Sequence, residues 1–97
     1  MSTVLFTPAA QSDIENIWNY TIAQWGETQA IKYLQEISIG CIAISTKERP
    51  SYSAEDIRTG YQKFYINAHV VFFKINHSND MEVIRILHQQ MDAGRHI

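Results

Sequence analysis

One cysteine, two prolines and four glycines in 97 residues set aside several classes of protein at the start. A lone Cys41 cannot form an internal disulfide or supply the paired thiolates of a structural zinc site. No apolar run approaches the roughly 18 to 20 residues of a membrane span, and no basic stretch precedes the short apolar run near the N-terminus as a secretory signal requires. A reducing cytoplasm without membrane contact is therefore expected. Basic excess is missing too: eight Lys and Arg stand against ten Asp and Glu, for a net charge of −2. A free-standing nucleic-acid binder is normally basic, so direct nucleic-acid binding by this chain alone is not expected. Dinucleotide-binding, P-loop and nucleophile-elbow signatures are absent. His69, His77, His88 and His96 do not show the helical i,i+4 spacing of a zinc site, so the sequence implies neither metal nor cofactor.

What is present reads as one compact domain over residues 1–97. Apolar residues make up 45% and charged residues 19%, which is ordinary globular usage. Charge is uneven: residues 1–48 carry two basic against five acidic groups, and residues 49–97 carry six against five together with all four histidines. An anionic partner is therefore met, if anywhere, by the C-terminal half.

Residues 3–7 are β-branched and aromatic and stop at Pro8, which predicts a short strand. Thr7 then suits the N-cap of a helix with proline at its first position. Ala10, Ile14, Ile17, Trp18, Thr21, Ile22 and Trp25 recur at steps of three and four, and Gly26 suits the end of that helix. Ala30, Tyr33, Leu34, Ile37, Cys41 and Ile44 repeat the spacing in a second helix running out near residues 47–49. Both tryptophans and Cys41 are assigned to the core. The period then changes from 3.6 to 2, giving strands over 57–66, 69–76 and 81–88 with short polar turns at 67–68 and 77–80. Gly60, inside the first of these runs, suggests a bulge or a close backbone approach. The expected fold is α+β: an N-terminal strand, an α-helical hairpin and a three-stranded antiparallel meander, in the order β-α-α-β-β-β, with one sheet packed on the hairpin.

The strand 69–75 is apolar on both parities, Val70 and Phe72 on one face and Val71, Phe73 and Ile75 on the other. One helical hairpin covers one sheet face. The other needs either a protein partner or cover from the loop 50–56 and the C-terminal tail. Strict alternation puts Arg85 on the face of Met81, Val83 and Leu87, where a guanidinium must be paired or presented to a ligand. Two readings follow: an internal ion pair with a carboxylate such as Asp56 or Glu82, or a grip on phosphate or carboxylate formed by Arg58, Arg85 and His88.

The succession Ala9-Ala10, Asp13-Ile14, Ile17-Trp18-x-Tyr20, Trp25-Gly26, Gln29-Ala30 and Tyr33-Leu34 resembles the N-terminal half of ParE toxins of bacterial toxin-antitoxin systems. Asp56-Ile57-Arg58-x-Gly60-Tyr61-x-Lys63-Phe64, His69-Val70-Val71-Phe72-Phe73 and Val83-Ile84-Arg85-Ile86-Leu87-His88-Gln89-x-Met91-Asp92 are similar to the C-terminal half in order and spacing. The resemblance implies the toxin of a type II system, plasmid or chromosomal, neutralised by a ParD-like antitoxin, with DNA gyrase as the expected target and no catalytic residue of its own. ParE toxins share their fold with RelE ribonucleases, so ribosome-dependent cleavage of messenger RNA is the alternative activity, and an inert ParE-like interaction module is a third. RelE-type chemistry needs cations for the phosphate and an acid or base near the ribose 2′-hydroxyl. Arg58, Arg85 and His88 qualify in part, but no tyrosine follows Tyr65. The end of the last strand, with Arg58, Arg85, His88 and Met91, is the expected target-contacting region. Trp18, Tyr61, Phe64, Val71 and Phe73 are the expected antitoxin contacts, in a groove between hairpin and sheet.

Overall fold

Thr7 is the point at which strand becomes helix. Its backbone is extended, its Oγ1 accepts from the Ala10 N–H at 3.1 Å, and Pro8 occupies the first helical position. The same hydroxyl donates to the Ile84 carbonyl at 2.9 Å, so the cap also fastens the helix to the last strand. In this computed structural model, which describes residues 3–97, the elements are β1 (Val4–Phe6), α1 (Pro8–Trp25), α2 (Glu27–Ser45), β2 (Tyr52–Ser53), β3 (Gln62–Ile66), β4 (His69–Ile75), β5 (Met81–His88) and a last turn of helix, α3 (Ala93–His96). Met1 and Ser2, part of the N-terminal stretch read for a signal, lie outside the described residues. Gly26 joins the two long helices at φ 90°, a conformation that strains any residue with a Cβ.

All five strands form one sheet in the order β1-β5-β4-β3-β2. The meander β3-β4-β5 is antiparallel as expected, and β1 adds to β5 in parallel, with Val4 opposite Met81. The strand expected over 57–66 is shorter than its apolar content suggests. Residues 54–61 form turns instead, with Ile57 and Arg58 both donating to the Ala54 carbonyl, and β2 pairs with β3 beyond that loop. Gly60 is a turn position at φ 84° with nothing within 4 Å of where a Cβ would stand, so it marks neither a bulge nor a close approach.

The bulge lies elsewhere. Phe72 pairs with Arg85 but Phe73 pairs with Val83, which leaves Ile84 as an extra residue on β5. One extra residue reverses the parity of everything after it. Met81 and Val83 therefore face the helices, whereas Arg85 and Leu87 fall opposite Phe72 and Val70 on the back of the sheet, which corrects the placement of Arg85 beside Met81 and Val83.

The main core lies between the helices and the front face, where Phe64, Val71, Phe73 and Ile86 meet Ile17, Ile37, Cys41 and Ile44. Burial pushes the Cys41 thiol up to about 12, as befits a packing residue. Helix and sheet approach closely at Gly40, where an added Cβ would stand 2.7 Å from Ile66 Cδ1 and 3.1 Å from Phe64 Cε2. The back face is not left open. Ala54, Ile57 and Tyr61 from the β2–β3 loop, with Ala93 and Ile97 from the C-terminal segment, pack on Val70, Phe72 and Leu87. The apolar second face is thus covered from within the chain and does not itself require a partner. Trp25 is not in the core: it is 72% exposed, and Trp18 is only half-buried.

Candidate partner-binding site

β1 pairs with β5 only as far as Phe6 opposite Val83, so the edge of β5 beyond that point needs another cover. Asp13, 8% exposed on the buried side of α1, supplies it. Its carboxylate accepts from the Ile86 N–H at 2.9 Å and takes a two-pronged bond from Arg85, Nε at 2.8 Å and Nη2 at 2.9 Å. The remaining guanidinium nitrogen, Nη1, donates to the His96 carbonyl at 2.7 Å. Arg85 thus curls round the sheet edge from α3 to α1, and its acidic partner is neither Asp56 nor Glu82. Glu82 instead lies 3.9 Å from Lys74 and accepts from Asn76 at 2.8 Å.

At the end of the sheet where β3 turns into β4, side chains tie three elements together. Gln89 donates through Nε2 to the Asn67 carbonyl at 2.7 Å, and Asn67 Nδ2 donates to Glu36 on α2 at 2.8 Å. Above this junction an open cleft of about 940 Å³ runs between α1, α2 and the strand ends. Tyr20, 66% exposed, and Trp25 stand on its helical wall, and His69, His88 and Met91 line its other side. Tyr33 Oη hydrogen-bonds His69 Nδ1, and the His69 ring lies 5.6 Å from His88 at 81°. Burial, with the nearby His88, lowers the pKa of His69 from its ordinary value, against a weaker pull from Asp13. Burial also raises the pKa of the Tyr33 phenol.

The sequence-predicted residues are distributed as follows. Arg58 Nη2 donates to the Ile97 main-chain oxygen at 3.4 Å, so Arg58 and Arg85 meet at the C-terminal segment and help to hold it. His88 and Met91 meet at the cleft. Of the expected anion grip of Arg58, Arg85 and His88, Arg85 is taken up by Asp13 and the His96 carbonyl. Of the expected antitoxin contacts, Phe64, Val71 and Phe73 are sealed in the front core, Tyr61 packs on the back cluster and Trp18 is half-buried on α1. Phe64, Val71 and Phe73 fill the middle of the groove between hairpin and sheet, with the cleft at one end and a hollow of about 440 Å³, lined by Ile44, Phe73 and Met81 among others, at the other. Tyr20, Trp25, Tyr33 and His69 were not singled out by sequence as lining residues. The available signal was Asp13, a carboxylate within the buried stripe of α1, which marks that helix as carrying more than packing.

A helical hairpin on one face of a mixed sheet, with an aromatic cleft at its open end, defines a class of small α+β domain that presents a binding surface. The sequence profile described as "ParE toxin of type II toxin-antitoxin system, parDE" matches residues 4–93. Toxin ParE1 of Mycobacterium tuberculosis is 34% identical over 96 residues, 99% of this chain and 98% of that protein. Toxin ParE1 of Caulobacter vibrioides is 33% identical over 88 residues, 91% of this chain and 90% of that protein. Among solved structures, a chain of the chromosomal ParDE system of P. aeruginosa superposes with a TM-score of 0.76 at 16% identity, covering 91% of this chain and 96% of that one, a likeness of fold. The chain belongs to the ParE toxin family of type II toxin-antitoxin systems. A toxin of such a system has an antitoxin as its partner. No helix among the described residues is long and apolar enough to cross a membrane.

Proposed function

We propose that this ParE-family toxin acts in the cytoplasm by binding DNA gyrase and holding it on cleaved DNA, and that a ParD-like antitoxin neutralises it through the aromatic cleft. The observation that carries the reading is that both sequence-predicted arginines are taken up by the protein itself. Arg85 is held by Asp13, Arg85 and Arg58 both donate to the C-terminal main chain, and no Lys or Arg lines the cleft where His69 and His88 stand. Ribonuclease chemistry needs free cations on the phosphate beside an acid or base, and of these only Lys63 shares a hollow with His88, whereas a toxin that acts by contact needs only a surface. His88 and Met91, at the exit of β5, remain the residues we assign to target contact.

A gyrase supercoiling and DNA-cleavage assay run beside a ribosome-dependent RNA-cleavage assay tests this. Accumulation of cleaved gyrase-DNA complex with intact messenger RNA is the expected result. RNA cleavage that disappears in His88→Ala would replace gyrase binding with a nuclease, and normal growth after induction would indicate an inert interaction module.

A further inference from the structure

The helix α2 carries five isoleucines, and the core accounts for two of them. Ile37 and Ile44 are buried, whereas Ile31, Ile39 and Ile42 are 43%, 66% and 54% exposed. A β-branched residue on the solvent side of a helix gains no packing and supports the helix less well than Ala, Lys or Glu. The three are not scattered. At about 100° per residue Ile31 and Ile42 project nearly in line, about three turns apart, with the exposed Gln35 and Ser38 between them. Ile39 and the partly buried Leu34 form the two flanks of the same strip. A helix face that meets only water normally carries charge, but the charged residues of α2, Glu27, Lys32 and Glu36, lie beyond the end of this strip or to one side. The strip also avoids the cleft, which α2 lines with Gln29, Tyr33 and Glu36.

The spacing within the strip is palindromic: Ile31, Leu34, Gln35, Ser38, Ile39 and Ile42 follow one another at steps of three, one, three, one and three. A two-fold contact between identical surfaces requires that property, because each residue meets one equally far from the axis on the other copy. Two α2 helices laid antiparallel about an axis between Glu36 and Ile37 set Ile31 on Ile42, Leu34 on Ile39 and Gln35 on Ser38, each pair occurring twice. The ends match in charge as well. Glu27 opens α2 and Lys47 lies just past its close, and neither has an ion pair among the described residues. The antiparallel arrangement brings Glu27 of each copy towards Lys47 of the other, whereas a parallel one sets like charges together at both ends.

We infer that the solvent face of α2 is a self-association surface, on which a second copy of this chain packs antiparallel about a two-fold axis. This goes beyond the toxin reading and holds whatever the target is. The contact is one helix wide and about three turns long, which places it among small, transient interfaces with a dissociation constant on the order of 1 to 100 μM. A pair formed in this way carries two open clefts, one on each copy, and takes up antitoxin without coming apart.

Sedimentation velocity of the purified toxin over a concentration series tests the inference, with the wild type expected to pass from monomer to dimer. Ile39→Glu and Ile42→Glu should each weaken the dimer at least about tenfold, and leave the circular dichroism and urea midpoint of the monomer unchanged because both side chains stand in solvent. Glu27→Lys and Lys47→Glu should each weaken it about three- to tenfold at low salt, and the two exchanges in one chain should restore it, since the reversed pair attracts again across the axis. A wild type that stays monomeric up to about 1 mM overturns the inference. A dimer indifferent to both isoleucine variants overturns it too, and dissociation in Trp25→Glu instead moves the contact to the cleft. Failure of the double exchange to restore association overturns the antiparallel register. A monomeric toxin whose affinity for a ParD-type antitoxin falls in Ile39→Glu assigns the strip to that partner and overturns the second copy as its occupant.

Discussion

Removing the Arg85 guanidinium leaves the buried Asp13 carboxylate with one donor, the Ile86 N–H, and no counter-ion. A buried charge stripped of its partner is more destabilising than the intact pair is stabilising. Arg85→Ala is therefore expected to lower folding stability by about 2 to 4 kcal/mol in urea denaturation, the lower part of that range applying because the pair retains some solvent contact. Asp13→Asn with Arg85→Met should recover part of the loss, since the amide oxygen still accepts from Ile86 and no charge is left alone. A double variant less stable than Arg85→Ala would mean that the pair matters for more than mutual neutralisation. The same experiment bears on function. Because Arg85 holds α3 and the β5 edge, loss of toxicity in Arg85→Ala has to be read against this loss of stability before any target contact is claimed for it.

Among the elements, α2 fits closely on β3 at Gly40. Alanine there gains about 1 kcal/mol in helix propensity but drives its methyl into Ile66 Cδ1, and overpacking of this kind typically costs about 1 to 3 kcal/mol. Gly40→Ala is expected to be net destabilising, and Ile66→Val, which deletes the obstructing methyl, should make the two changes together less harmful than their sum. Thermal melts of the two single variants and the pair measure that coupling, and strict additivity would show that the contact is not what limits residue 40. The helices were legible because their buried residues recur at helical steps and Thr7, Pro8 and Gly26 punctuate them. The meander was legible from its change of period and its polar turns. The bulge at Ile84 was not, because β5 is apolar on both parities and no glycine marks the extra residue. β2 was too short to produce a pattern, and Ile57 and Tyr61 reach the back core from turns, which imitates a strand. The cleft was only half legible. His88 and Met91 follow from the end of β5, but the Asp13–Arg85 and Tyr33–His69 pairings join residues 72 and 36 positions apart, which local pattern cannot supply.

For the whole molecule, the two helices form a hairpin of near neighbours and β3 to β5 a meander of near neighbours, but β1 finds its partner 77 residues away, Val4 opposite Met81. Two locally assembled halves must therefore be joined by a long-range closure, and such closures are formed late and slow the search for the native state. The Thr7 hydroxyl, which reaches the Ile84 carbonyl, belongs to that last step. Thr7→Ala, expected to cost about 1 kcal/mol as a lost cap, should then speed unfolding about fivefold in stopped-flow experiments and leave the folding rate nearly unchanged. An equal slowing of folding would place the closure early instead. In synthesis β1 emerges 77 residues before its partner strand, so their pairing cannot form until β5 has been made. The cleft lined by His88 lies at the end of the strand that β1 must find, so the pairing of Val4 with Met81 ties the first-made strand to the element that carries this surface.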